Sequence, residues 1–144
     1  MGGAGDTYAA ACEMEGAWVH AHHFELYEDA LPTLDALRDR GLKLGLLSNS
    51  ARDLDEFVGH HGLTVDAVLT SRAHGKTKPH EAIFRRMLEL LDVIPDEALM
   101  VGDTIEDDVE GATAVGMRAV LVDREGRYDE PGSIADLRAL LALI

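Results

Sequence analysis

Apolar positions along the chain fall into two periods that take turns. Spacings of three and four recur in Ala10, Met14, Ala17, Ala21 and Phe24, in Leu34 and Leu37, and in Ile83, Phe84, Met87, Leu88 and Leu91. Each set predicts one buried face of a helix. Between and after them stand short apolar runs at 42–47, 67–70, 98–101 and 118–122, of the length of buried strands. Punctuation agrees: Pro32 suits a first helical turn, Gly41, Gly62 and Gly116 stand where helices should stop, and Ser133 suits the cap of a final helix through Leu143. With a further helix at about 52–61, the order is one helix over 7–25 and then four strand-helix units. Such alternation predicts an α/β fold, a Rossmann-like parallel sheet with helices on both faces.

Polar residues gather where these strands end. The strand over 42–47 delivers Ser48-Asn49-Ser50, with a hydroxyl and backbone N–H groups. Lys78 precedes Pro79 at the entrance of the 83–91 helix, where a cation opposes the helix dipole, so an anion is expected opposite it. The strand over 98–101 runs through Gly102 into Asp103-Thr104-Ile105-Glu106-Asp107-Asp108. Carboxylates this close repel unless a cation joins them, and hard oxygen ligands suit Mg²⁺. The same acids also suit a helix N-terminus, where Thr104 with Asp107 resembles a capping box. Open parallel sheets bind ligands at the carboxyl ends of their strands, and all three sets fall there. Donors, a point charge and a cation site are what phosphoryl transfer requires. His20 and His23 have a spacing that could share a metal, but no acidic or cysteine partner is evident and His22 points elsewhere, so they read as a polar helix face; Asp123-Arg124, also at a strand end, is left unranked.

Composition narrows the partners. With 13 basic and 27 acidic residues the formal charge is -14, which disfavours nucleic acid and anionic membrane surfaces. The 47% hydrophobic content is enough for a core. A single cysteine, Cys12, permits no internal disulfide, and with no signal-peptide pattern or membrane-length apolar run a cytoplasmic setting is expected.

On these residues the chain resembles the haloacid dehalogenase-like (HAD) hydrolases, in particular the phosphatase branch with a helical cap. The segment 46–50 resembles the family's second motif, 75–84 its third and 101–117 its fourth. The resemblance implies that Ser48 and the Asn49 backbone bind a phosphoryl group and that Lys78 neutralises it. It implies that Asp103 ligates Mg²⁺, that Asp108 holds a metal-bound water or Lys78, and that Asp107 ranks third for the metal. Catalytic roles would fall on Lys78, Asp103 and Asp108, and the substrate would be a small phosphorylated metabolite. Dehalogenation, which needs no metal, fits the acidic loop less well.

The family's first motif, an apolar strand ending in Asp-x-Asp, finds no match. Asp6 is the only aspartate before Asp29, and Gly2-Gly3-Ala4-Gly5 ahead of it is unsuited to a buried strand. Residues 1–26 are therefore expected to be a helical remnant of a cap and 27–144 a core lacking its first central strand. Losing four or five buried apolar side chains costs about 1.5–3 kcal/mol each. The expected compensation is direct pairing of the strands at 42–47 and 98–101, self-association, or a partner that supplies the strand. Two functions stay open: a magnesium-dependent phosphomonoesterase whose nucleophile this chain lacks, and a silent phosphate- or metal-binding domain.

Overall fold

A computed structural model of the chain describes residues 9–12, 27–49 and 54–144. Five strands form one parallel sheet: β1 (Ala9–Cys12), β2 (Lys43–Ser48), β3 (Ala67–Thr70), β4 (Ala98–Gly102) and β5 (Arg118–Leu121), in the order β3-β2-β1-β4-β5. Side chains alternate across the sheet, as a period of two requires. Leu44 and Leu46 of β2 face one way and Leu47 the other, while in β4 Leu99 and Val101 oppose Ala98 and Met100. One face is covered by α4 (Glu81–Leu91), which buries Ile83, Phe84, Met87, Leu88 and Leu91 along its apolar stripe. The other is covered by α1 (Ala30–Asp39), through Leu34 and Leu37, and by Ile134 and Leu140 near the C-terminus. The remaining helices are α2 (Leu54–His61), α3 (Ser71–His74), α5 (Gly111–Ala114) and α6 (Leu140–Leu143). No helix among the described residues is long and apolar enough to cross a membrane.

The expected α/β architecture is present, with two corrections. A helix beginning near residue 7 does not extend over Ala9–Cys12, which is the middle strand of the sheet. It pairs in parallel with β2 from Ala9↔Lys43 to Cys12↔Leu46 and with β4 from Ala9↔Ala98 to Cys12↔Val101. The core does not lack its central strand, β2 and β4 do not pair directly, and the reason for expecting a strand from elsewhere falls away. Partners on both sides outweigh the helix preference of an alanine-rich segment. The rest of the expected cap remnant, His20, His22 and His23 included, lies outside the described residues.

The second correction is at the C-terminus, where no helix runs unbroken from Ser133. The Ile134 N–H donates to the Leu121 carbonyl at 2.9 Å and its carbonyl accepts from the Asp123 N–H at 2.7 Å. This segment prolongs the sheet edge as a bridge to Val122. Helical structure starts only at the short 3₁₀ turn Leu137–Ala139, where the Asp136 side chain accepts from the Arg138 N–H.

Candidate active site

All strands being parallel, the ends of β2 and β4 and the entrance of α4 share the carboxyl edge of the sheet. β2 runs to Ser48, which is buried, and Asn49 follows half-buried. Lys78 is also buried, at 2% exposure, three residues before α4 begins. β4 ends at Gly102, followed by Asp103 and Thr104.

The next segment, Ile105–Glu110, turns more widely than an α-helix: the Val109 N–H bonds back to the Thr104 carbonyl at 3.3 Å, five residues earlier. Asp108, not Asp107, comes back over the start of this turn. Asp108 Oδ2 accepts from the Thr104 N–H at 3.0 Å and from Thr104 Oγ1 at 2.8 Å. The expected Thr104–Asp107 capping box is replaced by this contact. Gly102 makes room for it, because a Cβ there would run into the Asp108 side chain.

The other oxygen of Asp108 holds the lysine. Lys78 Nζ lies 2.6 Å from Asp108 Oδ1, and both side chains are wholly buried. The anion expected opposite Lys78 is therefore Asp108. Both oxygens of Asp108 are thus engaged, one by Lys78 and the other by Thr104.

Asn49 acts through its side chain, which reasoning from sequence had passed over in favour of its backbone. Its Oδ1 accepts from the Lys78 N–H at 2.7 Å, and its Nδ2 donates to the Lys78 carbonyl at 3.1 Å. Thr104 was missed as well, although its spacing from Asp108 is that of neighbours on one side of a turn.

Asp103 and Asp107 are both half-buried beside this pair. Burial first, then the charge of Asp108, raises the Asp107 carboxyl above its ordinary value; Lys78 opposes the shift and Glu106 adds to it. Among the described residues no three His, Cys, Asp or Glu side chains are grouped so as to hold a metal by themselves.

Of the Asp123-Arg124 pair, Asp123 accepts from the Arg127 and Tyr128 N–H groups, both at 2.9 Å, and Arg124 forms a clasp with Asp29. Arg124 donates to both oxygens of the buried Asp29, at 3.0 and 3.2 Å, and lies 3.7 Å from the Tyr27 ring centroid. Asp29 also accepts from the Leu137 N–H at 2.6 Å, so one carboxylate ties the start of α1 to two later segments.

Comparison with known proteins identifies the family. A family model described as haloacid dehalogenase-like hydrolase matches residues 4–116. A phosphatase from Mycobacterium tuberculosis is 42% identical over 123 residues, covering 82% of this chain and 55% of its own length. A phosphoserine phosphatase from Thermus thermophilus is 42% identical over 121 residues, 80% of this chain and 47% of its own. The crystal structure of a HAD phosphatase from Thermococcus onnurineus superposes with a TM-score of 0.80 at 36% identity, covering 85% of this chain and 60% of that one. The chain thus spans about half the length of the curated relatives it matches.

Proposed function

We propose, since this chain belongs to the haloacid dehalogenase-like hydrolases, that the carboxyl edge of its sheet is a phosphoryl site of the phosphatase kind, for a small phosphorylated metabolite. The observation that carries the reading is the buried Lys78–Asp108 pair at the end of the central strands. Burying two charges is expensive, and a hydrophobic pair of similar volume would often be as stable. A lysine kept in that position at such a cost is suited to binding an anion. Ser48 adds a hydroxyl at the neighbouring strand end, and Thr104 fixes the carboxylate that fixes the lysine.

The donors after β4 are hard carboxylate oxygens, which fit Mg²⁺. Asp103 would hold it, with Asp107 next, and one or two carboxylates are enough because Mg²⁺ retains waters and takes substrate oxygens for the rest. When bound, the ion would neutralise charge on the phosphoryl oxygens.

Hydrolysis also needs a nucleophile and a proton donor. After β1 the sequence continues as Glu13-Met14-Glu15, outside the described residues, where the family has Asp-x-Asp. A glutamate carboxylate stands one methylene farther from its backbone, and a displacement on the order of 1 Å is enough to cost about a hundredfold in rate. We therefore read this chain as binding phosphate and Mg²⁺ while turning over little or no ester.

The test is hydrolysis of an aryl phosphate by the parent, by Asp103→Asn and by a double Glu13→Asp, Glu15→Asp variant, with and without Mg²⁺. Activity should be at background in the first two and appear with Mg²⁺ in the third. Mg²⁺-dependent turnover by the parent that Asp103→Asn abolishes would overturn the silent reading and make the chain a phosphatase as it stands.

A further inference from the structure

We propose that Asn49 is a positioning residue that sets Lys78 for the phosphoryl group, in addition to whatever its backbone N–H binds. Its side chain grips one residue twice: Oδ1 takes the Lys78 N–H at 2.7 Å and Nδ2 gives to the Lys78 carbonyl at 3.1 Å. A carboxamide carries an acceptor and donors on one rigid plane, so it can meet both backbone groups of a single residue, as a neighbouring strand would. The loop before α4 is thereby fastened to the end of β2 across a sequence distance of 29 residues.

The lysine is consequently pinned at both ends. Asn49 fixes its backbone and Asp108 fixes its Nζ, at 2.6 Å. Four flexible methylenes between those ends would otherwise let the ammonium wander, and holding it costs rotamer freedom that a bound phosphate would have to supply. Asn49 also adjoins Ser48, so one dipeptide sets the hydroxyl and, through its side chain, the charge. The loop that carries the charge is in this way tied to the end of β2.

The inference rests on the phosphoryl reading of this edge, and its test separates the two. Orthophosphate is titrated into the full chain, its Asn49→Leu variant and its Ser48→Ala variant, while the ¹⁵Nζ–H signal of Lys78 and the melting temperature are followed. Asn49→Leu should bind orthophosphate about tenfold more weakly, the scale of loosening a charged hydrogen-bond partner, and should lose the slowly exchanging Nζ signal. A variant that melts lower yet keeps both parental affinity and the parental Nζ signal shows Asn49 to be only a structural fastener and overturns the proposal. If neither the parent nor Ser48→Ala binds orthophosphate, the phosphoryl reading fails. The Nζ signal then still decides whether Asn49 holds the lysine in place.

Discussion

Lys78 and Asp108 meet at 2.6 Å in a site from which solvent is excluded on both sides. Removing one member of a buried pair strands the other, which typically costs about 3–5 kcal/mol, more than the pair itself contributes. Asp108→Ala should therefore lower stability by that amount in denaturant titration, and Lys78→Met with Asp108→Leu together should recover much of it. A double variant no more stable than Asp108→Ala would mean that the carboxylate's bond to Thr104, not the ion pair, holds the turn.

Gly102→Ala tests the same site from the backbone side. A Cβ at this position collides with the Asp108 side chain, so either the turn moves or the lysine loses its partner. Overpacking of this kind costs about 1–3 kcal/mol. Orthophosphate affinity should fall along with the melting temperature; a parental affinity would show that Asp108 can shift without disturbing Lys78.

Asp29 gives three bonds to the fold and Arg124 only two of them, so their truncations should differ. Asp29→Ala leaves the Leu137 N–H and a partly buried guanidinium unsatisfied, whereas Arg124→Ala leaves the carboxylate its backbone partner. We expect a loss of about 2–4 kcal/mol for the first and a smaller one for the second. Hydrogen exchange at the Leu137 amide should accelerate in Asp29→Ala and stay slow in Arg124→Ala.

Acid should loosen the segment after β5. The Tyr128 N–H, with those of Arg127 and Gly126 and the Arg127 charge, holds the Asp123 carboxyl below its ordinary value of 3.8 against the opposing effect of partial burial. A depressed folded value means that the carboxylate's contribution is fully present above 3.8 and fades as the pH drops through the folded value. Asp123→Asn should be less stable than the parent near neutrality, with the gap closing at low pH. A gap independent of pH would assign the difference to lost packing instead.

What could be read from sequence, and what could not, divides along physical lines. The strand at Ala67–Thr70, the apolar stripe of α4 and the helix stop at Gly116, whose φ is +91°, were legible because local preference and tertiary role agree there. Ala9–Cys12 reads as helix because alanine favours one. Its strand character comes from two neighbours far away in the chain, which no local period reports. Ile134 reads as helical because Ser133 suits a helix cap, and its pairing with Val122 is a contact between segments that no local pattern reports. At the site, Lys78 and Asp108 stood out as charges at an element's entrance. The partners of the Asn49 and Thr104 side chains did not, since a small polar side chain shows its use only when a second segment arrives beside it.

The place of β1 has a consequence for the order in which the molecule is made. The first strand among the described residues is the middle of the sheet, and it gains its second neighbour only when β4 has been synthesised. Until then a growing chain carries β1 against β2 alone, with a strand edge open to whatever else is nearby, chaperones and other nascent chains included. Both neighbours are distant in sequence, so long loops must close before the pairing is gained and folding should be slow for a chain of this size. The Lys78–Asp108 contact is likewise a late one, since Lys78 cannot be locked until Asp108 has left the ribosome.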